Sequence, residues 1–193
     1  YQNNVEEDMG VHIDYNSIEN YSKSLEKAIS TSSKEYEKIG VHSEGYYKQI
    51  NSNTLQIENE YYSSVRPKPD SGIEKRPSKA LIENGVDYIE LRSIDNNIFL
   101  NNGIDICQMH FIELLIIYCL FYPDSKISDD EYFEIKDNLK KVAHNGRNNE
   151  TCLKVGERNL KINIAVKTLL DSLMEIAKIM DKIMGDKNIY EKC

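Results

Sequence analysis

Val86-Asp87-Tyr88-Ile89-Glu90-Leu91-Arg92-Ser93-Ile94-Asp95 is the stretch on which the fold of this chain turns. β-Branched and aromatic residues alternate with polar ones along it, and turn-forming residues stand at both ends, which is the pattern of a β-strand. Side chains two apart on a strand leave the same face. Glu90 and Arg92 therefore project together, ~7 Å apart along the backbone, while Ile89 and Leu91 face the other way. A carboxylate and a guanidinium aimed from a rigid strand at one place suit a cation and an anion held side by side, as Mg²⁺ and a nucleotide phosphate are. The same spacing equally suits a salt bridge on the wet face of an antiparallel pair.

Upstream lies Gln49-Ile50-Asn51-Ser52-Asn53-Thr54-Leu55-Gln56-Ile57-Glu58-Asn59-Glu60-Tyr61-Tyr62, followed by Ser63-Ser64-Val65-Arg66-Pro67-Lys68. If Leu55 to Tyr62 is extended, Gln56, Glu58, Glu60 and Tyr62 share one face, and Leu55 and Ile57 share the opposite one. Two glutamates so placed suit a hard cation or lysines on a neighbouring strand, and the residues alone leave both open. Arg66 and Lys68 flank a proline that fixes the backbone, an arrangement that suits a loop gripping phosphate and, taken alone, also reads as a solvated turn. The stretch from Pro69 to Ser78 mixes Pro, Gly, Ser and alternating charges and is expected to be a mobile connection. From Lys79 to Glu83 a short helical turn leads through Gly85 into the strand.

The flanks read as scaffold. Ser17 caps an amphipathic helix to Ser30, with Ile18, Tyr21, Leu25, Ala28 and Ile29 on one side. Gly45-Tyr46-Tyr47-Lys48 marks a turn, and His42 beside it is expected to be solvated. Asp105 with Gln108 three residues on forms a capping box, opening a helix apolar on all sides in its second half and so expected to be central and buried. His110 on that helix reads as packed rather than metal-bound, since no second ligand stands at the right spacing. Ser128-Asp129-Asp130-Glu131 opens a further helix toward Ala143, and the turn at His144-Asn145-Gly146-Arg147 is assigned no site. A final helix, roughly Ile164 to Met184, repeats apolar residues at helical spacing and ends at Gly185, its methionines filling core.

A formal net charge of −8 over 193 residues argues against a nucleic-acid or anionic-membrane surface, either of which needs clustered cations. The cysteines at 107, 119, 152 and 193 contain no CxxC pair and fit reduced thiols and a cytoplasmic location better than a disulfide framework. The longest apolar run, Phe111 to Tyr122, is too short to span a bilayer.

The runs quoted above resemble one family. Glutamate-cysteine ligases of the proteobacterial type (γ-glutamylcysteine synthetases) carry QINSN-x-LQIENE-x-Y-x-x-x-RPK, then Y-I-E-x-R-S-x-D, then G-x-D-x-x-Q-x-x-F. This chain has all three, from Gln49 to Lys68, Tyr88 to Asp95 and Gly103 to Phe111. Members are longer, so residues 1–193 are expected to be an internal part of one catalytic domain, inactive by itself. The resemblance implies an α+β fold in which helices pack on an antiparallel sheet like that of the glutamine synthetase catalytic domain. It implies an ATP-dependent ligase that joins the γ-carboxylate of L-glutamate to the amine of L-cysteine through a γ-glutamyl phosphate, the first step of glutathione synthesis. Glu90 would ligate Mg²⁺, Arg92 would act on the transferred phosphoryl group, and Arg66 and Lys68 would hold nucleotide phosphate. Tyr62, with Tyr1, would line the cysteine pocket. The expected partners are ATP, L-glutamate and L-cysteine, with no nucleic acid or membrane, and a monomer is expected. Two other readings remain: a noncatalytic binding module that retains the strand pattern, and a sister carboxylate-amine ligase with another amine acceptor.

Overall fold

The computed structural model describes residues 11–70, 75–123, 125–185 and 188–193, and Tyr1 and residues 71–74 of the Pro69–Ser78 connection lie outside them. The chain is α+β and divides into two compact units, Tyr1–Ile94 and Asp95–Cys193.

In the first unit α1 (Ile18–Ser30) is capped as expected, the Ser17 hydroxyl accepting from the Asn20 amide. Its buried stripe of Tyr21, Leu25 and Ala28 packs with Ile13, Leu55, Tyr61 and Leu81 into one core. A short α2 (Lys34–Ile39) follows. It leads to a hairpin of β1 (His42–Ser43) and β2 (Tyr46–Tyr47) around Glu44 and Gly45, both at positive φ. That is the backbone a two-residue hairpin turn demands. The exposed His42 ring packs tilted against that of Tyr47, with centroids 3.8 Å apart.

The expected strand over Leu55 to Tyr62 does not form. The residues bend and then make a 3-10 turn at Glu58–Glu60. Polar side chains intercept the backbone groups a sheet ladder would use. Asn51 Nδ2 donates to the Gln56 carbonyl, Gln56 Oε1 accepts from the Ile50 amide, and Glu60 Oε2 accepts from the Gln56 amide. Local side-chain bonds of this kind compete with secondary structure, and in an Asn/Gln/Glu-rich run they win over alternation. The shared face of Gln56, Glu58, Glu60 and Tyr62 is lost with the strand.

The decapeptide forms its strand as β4 (Tyr88–Leu91), antiparallel to β3 (Val65–Lys68), with Arg66 opposite Glu90 and Lys68 opposite Tyr88. Arg66-Pro67-Lys68 is thus strand rather than loop, and Pro67 is tolerated because a two-stranded ribbon is all edge. Ile89 remains 44% exposed, so the apolar face of the strand is only partly covered. Between the strands α3 (Pro77–Asn84) buries Leu81 against the core and ends at Gly85, φ 78°.

In the second unit α4 (Ile106–Phe121) has the expected capping box, Asp105 Oδ1 accepting from the Gln108 amide and Gln108 Oε1 from the Asp105 amide. Its expected burial is not found. Leu114 is buried, but Leu120 and Phe121 are 75% and 78% exposed. A helix apolar on every side needs neighbours on every side, and within this unit the helix Ile162–Ile183 and the C-terminal segment cover one stripe. Then come α5 (Asp129–Asn145), a hairpin of β5 (Cys152–Val155) and β6 (Arg158–Lys161), and α6 (Ile162–Ile183). Leu173 and Ala177 of α6 pack on Leu114 and Tyr190, with Met180 against them, while Met174 and Met184 stay exposed. The β5–β6 hairpin has a readable signal, Gly156 at φ 57° between two short alternating runs.

His110 packs as expected, its ring 4.6 Å from that of Tyr190, whose hydroxyl donates to Glu113. Asp181 of α6 is fully buried, and its carboxylate accepts from the amides of Ile189, Tyr190 and Glu191. Burial works to raise its pKa, but those three donors outweigh it and hold the carboxyl below the usual value. Among the described residues no helix is long and apolar enough to cross a membrane.

Candidate active site

Antiparallel pairing puts the side chains of Arg66, Lys68, Glu90 and Arg92 on one face of the β3–β4 ribbon, and the register makes Glu90 its centre. Arg66 stands directly across from it, Lys68 lies on the diagonal, and Arg92 is two residues along the same strand. The ladder continues past the strand ends, the Arg92 amide donating to the Ser64 carbonyl and the Asp87 amide to that of Lys68. The backbone on both sides of the cluster is therefore fixed.

Each oxygen of Glu90 has its own cation. Arg92 Nε donates to Oε1 at 2.5 Å, and Lys68 Nζ sits 3.5 Å from Oε2. The Arg92 contact is the main reason the Glu90 carboxyl is held below the usual carboxylate range, with Lys68 and Arg66 adding to it. All three side chains are about 30% exposed, so solvent and ligands reach them. Tyr62 completes the group. It lies on the exposed side of the chain entering β3, and the Arg92 guanidinium stands 4.9 Å from its ring centroid, a cation–π contact.

Arg66 differs from its neighbours in being only 7% exposed. It lies near Tyr21 of α1, and its charge acts on that hydroxyl. Burial raises the Tyr21 pKa far above its usual value, and Arg66 works against that rise. Cross-strand to Glu90 and covered from solvent, Arg66 is the buried cation of that face.

The sequence leaves Glu58 open between a hard cation and lysines of a neighbouring strand, and the structure gives it other work. It is 5% exposed and grips the start of α3, its two oxygens accepting from the Ser78 amide at 2.8 Å and the Ser78 hydroxyl at 2.7 Å. The residue before Pro77 is Arg76, which supplies no side-chain cap, so Glu58 satisfies an orphan amide at the positive end of the helix. A helix that starts Arg-Pro without its own cap is the signal that an outside acceptor is needed. Glu60 is turned back to the Gln56 amide.

The structure thus brings together Tyr62, Lys68, Glu90 and Arg92, with the buried Arg66, and takes Glu58 and Glu60 out of the group. Tyr1 lies outside the described residues. Among the described residues no group of three or more His, Cys, Asp or Glu is placed to hold a metal ion. Glu90 is the cluster's one carboxylate. It suits a hard cation that also draws ligands from phosphate and water, as Mg²⁺ does with one or two carboxylates, and it does not suit a cation caged by protein alone. Paired cations of this kind suit phosphate: Arg92 offers a planar fork and Lys68 a mobile point charge.

Residues 1–142 match the family described as glutamate-cysteine ligase. The glutamate-cysteine ligase of Alcanivorax borkumensis is 37% identical over 196 residues, covering 99% of this chain and 37% of that protein. That of Pseudomonas paraeruginosa is 37% identical over 185 residues, covering 96% of this chain and 34% of the relative. The crystal structure of a glutamate-cysteine ligase from Francisella tularensis in complex with AMP matches with a TM-score of 0.85 at 32% identity, over 91% of this chain and 35% of that one. The chain spans about a third of the length of the relatives it matches.

Proposed function

Because the chain belongs to the glutamate-cysteine ligase family, we propose that it carries part of an ATP-dependent ligase that joins the γ-carboxylate of L-glutamate to the amine of L-cysteine. The observation that carries this reading is the convergence of Arg92, Lys68 and Glu90 on one face of a ribbon whose strands hold the family motifs. In this reading residues 1–193 are part of one catalytic domain, cytoplasmic and monomeric, and inactive without the rest of it.

The reaction activates the glutamate carboxylate as an acyl phosphate, which the cysteine amine then attacks. Charge spreads over the transferred phosphoryl oxygens, and catalysis consists mainly of positioning and neutralising them. Arg92 supplies the fork for those oxygens, and its cation–π contact with the Tyr62 ring helps to hold it in place. Lys68 holds a further phosphate oxygen, and Arg66, being buried, contributes charge rather than direct contact. Glu90 would be this chain's ligand to Mg²⁺, which would supply neutralisation of nucleotide phosphate charge. Tyr62, more than half exposed beside the cluster, also presents the wall of the cysteine pocket, with Tyr1 as its proposed companion.

The complete gene product, given Mg²⁺-ATP and glutamate with and without cysteine, is expected to release ADP in a cysteine-dependent way, with γ-glutamylcysteine identified by mass. Release with another amine would move the assignment to a sister ligase, and no release would favour a binding module.

A further inference from the structure

We propose that Cys107 and Cys193 form a reversible disulfide by exchange with a small disulfide, and that the bond ties segment 189–193 to the first turn of α4. The inference stands apart from the ligase reading, since both thiols belong to the second unit and not to the β3–β4 ribbon.

Helical spacing and one turn of chain bring the two residues together. Cys107, His110 and Leu114 stand at i, i+3 and i+7 on α4 and so share one stripe of it. Tyr190 lies along that stripe. It packs in one cluster with Leu114, its ring is 4.6 Å from that of His110, and its hydroxyl donates to Glu113 at 2.8 Å. Past Tyr190 the chain turns, the Cys193 amide donating to the Tyr190 carbonyl at 3.1 Å and the Cys193 thiol to the Ile189 carbonyl at 3.2 Å. That turn carries Cys193 toward the start of α4, where Cys107 stands. The two thiols interact there: Cys107 is the main reason the Cys193 thiol is pushed up to about 11, and the N-cap Asp105 acts in the same direction. Cys119 is about 18 Å further along α4 by helical rise and takes no part.

Both backbones are anchored. α4 starts on its Asp105–Gln108 capping box, and segment 189–193 hangs on Asp181 through the amides of Ile189, Tyr190 and Glu191. Thiols held close in this way meet at a high effective concentration, which favours ring closure over capture of a second small thiol.

The exchange balances. The Cys107 thiolate attacks one sulfur of the small disulfide, a new S–S bond forms, and one small thiolate leaves and takes up a proton. Cys193 holds its proton while Cys107 is charged beside it, so Cys107 opens the reaction. Bound in the mixed disulfide, Cys107 carries no charge, and that hold on Cys193 ends. Cys193 then gives its proton to water and attacks the Cys107 sulfur, and the second small thiolate leaves and is protonated. Two protein thiols are oxidised and one small disulfide is reduced to two thiols. An excess of small thiol reverses both steps, the behaviour of a redox-sensing pair in a reducing compartment.

The complete gene product, equilibrated in mixtures of reduced and oxidised glutathione, quenched in acid, alkylated and peptide-mapped, tests this. As the oxidised share rises, a Cys107–Cys193 link is expected to appear within one chain, and excess dithiothreitol is expected to remove it. Cys193→Ser should hold one glutathione on Cys107, a state through which wild type passes without accumulating it. In the linked protein the Ile189, Tyr190 and Glu191 amides should exchange at least about tenfold more slowly than in the dithiol form, because the link closes a long loop and restrains its opening. Free thiols at 107 and 193 in oxidised glutathione alone overturn the proposal, as do separate mixed disulfides on the two residues or a link between chains. Unchanged amide exchange in the linked protein overturns the tie to α4. Should the serine variant not fold, the wild-type map decides. None of these arms reads turnover, so a gene product that makes no γ-glutamylcysteine would sink the ligase reading and leave the disulfide standing.

Discussion

Two carboxylates, one in each unit, are held in opposite ways. Glu90 is partly exposed and gripped by the ends of two long side chains, whereas Asp181 is fully buried and gripped by three consecutive backbone amides. Side-chain partners on flexible stems can be drawn off by a ligand and returned, but amides cannot leave without unfolding the segment that carries them. Glu58, gripped by the start of α3, belongs with Asp181 in this respect. A carboxylate in an exchangeable setting marks a site, and one in a fixed setting marks a joint.

The largest effect should come from the exchangeable region. Arg92→Ala in the complete gene product is expected to lower turnover by about 10²–10³-fold, the usual cost of losing a charge-stabilising donor, with a thermal melt close to wild type. A melt that collapses along with activity would move Arg92 from the site to the joints. Glu58→Ala should show the reverse pattern. It strips a cap from α3 and leaves the buried Ser78 amide and hydroxyl without an acceptor, at a cost of about 1–3 kcal/mol in stability measured by urea unfolding. An unchanged unfolding midpoint would show that the cap is dispensable.

The same distinction explains what the sequence could and could not reveal. The strand over Tyr88–Leu91 and the helix caps at Ser17, Asp105 and Ser128 are legible because alternation and cap spacing are local signals. The pairing of Glu90 with Arg92 followed from their separation by two, but the part played by Lys68 did not. It depends on the register of β3 against β4, which no local pattern states. Leu55 to Tyr62 misled because alternation was read without weighing Asn51, Gln56 and Glu60, whose side chains tie up the backbone. The all-round apolarity of α4 announced burial, yet how much of it is covered depends on neighbours. Asp181 was invisible because its partners lie eight to ten residues on, beyond the end of its helix.

A subtler test of the exchangeable region lies in Tyr62. If the ring matters as the seat of Arg92, Tyr62→Phe should keep turnover nearly intact, and Tyr62→Ala should lower it about two- to fivefold, the worth of an exposed cation–π contact. If the tyrosine serves the thiol pocket alone, both variants should instead raise the KM for cysteine and spare turnover at saturation.

The smallest effect, and the one that isolates the fixed region, is set by pH. The pKa of Asp181 is lowered in the folded chain from its ordinary 3.8, so the ionised carboxylate favours folding. That contribution is complete above the ordinary value and fades as pH falls through the lower folded one. Protection of the Ile189, Tyr190 and Glu191 amides against hydrogen exchange, corrected for intrinsic rates, should therefore stay level from neutral pH to about pH 5 and fall only in stronger acid. In Asp181→Asn the protection should be reduced at every pH, and the acid drop should be gone. An acid drop of the same size in Asp181→Asn would show that another group governs the joint.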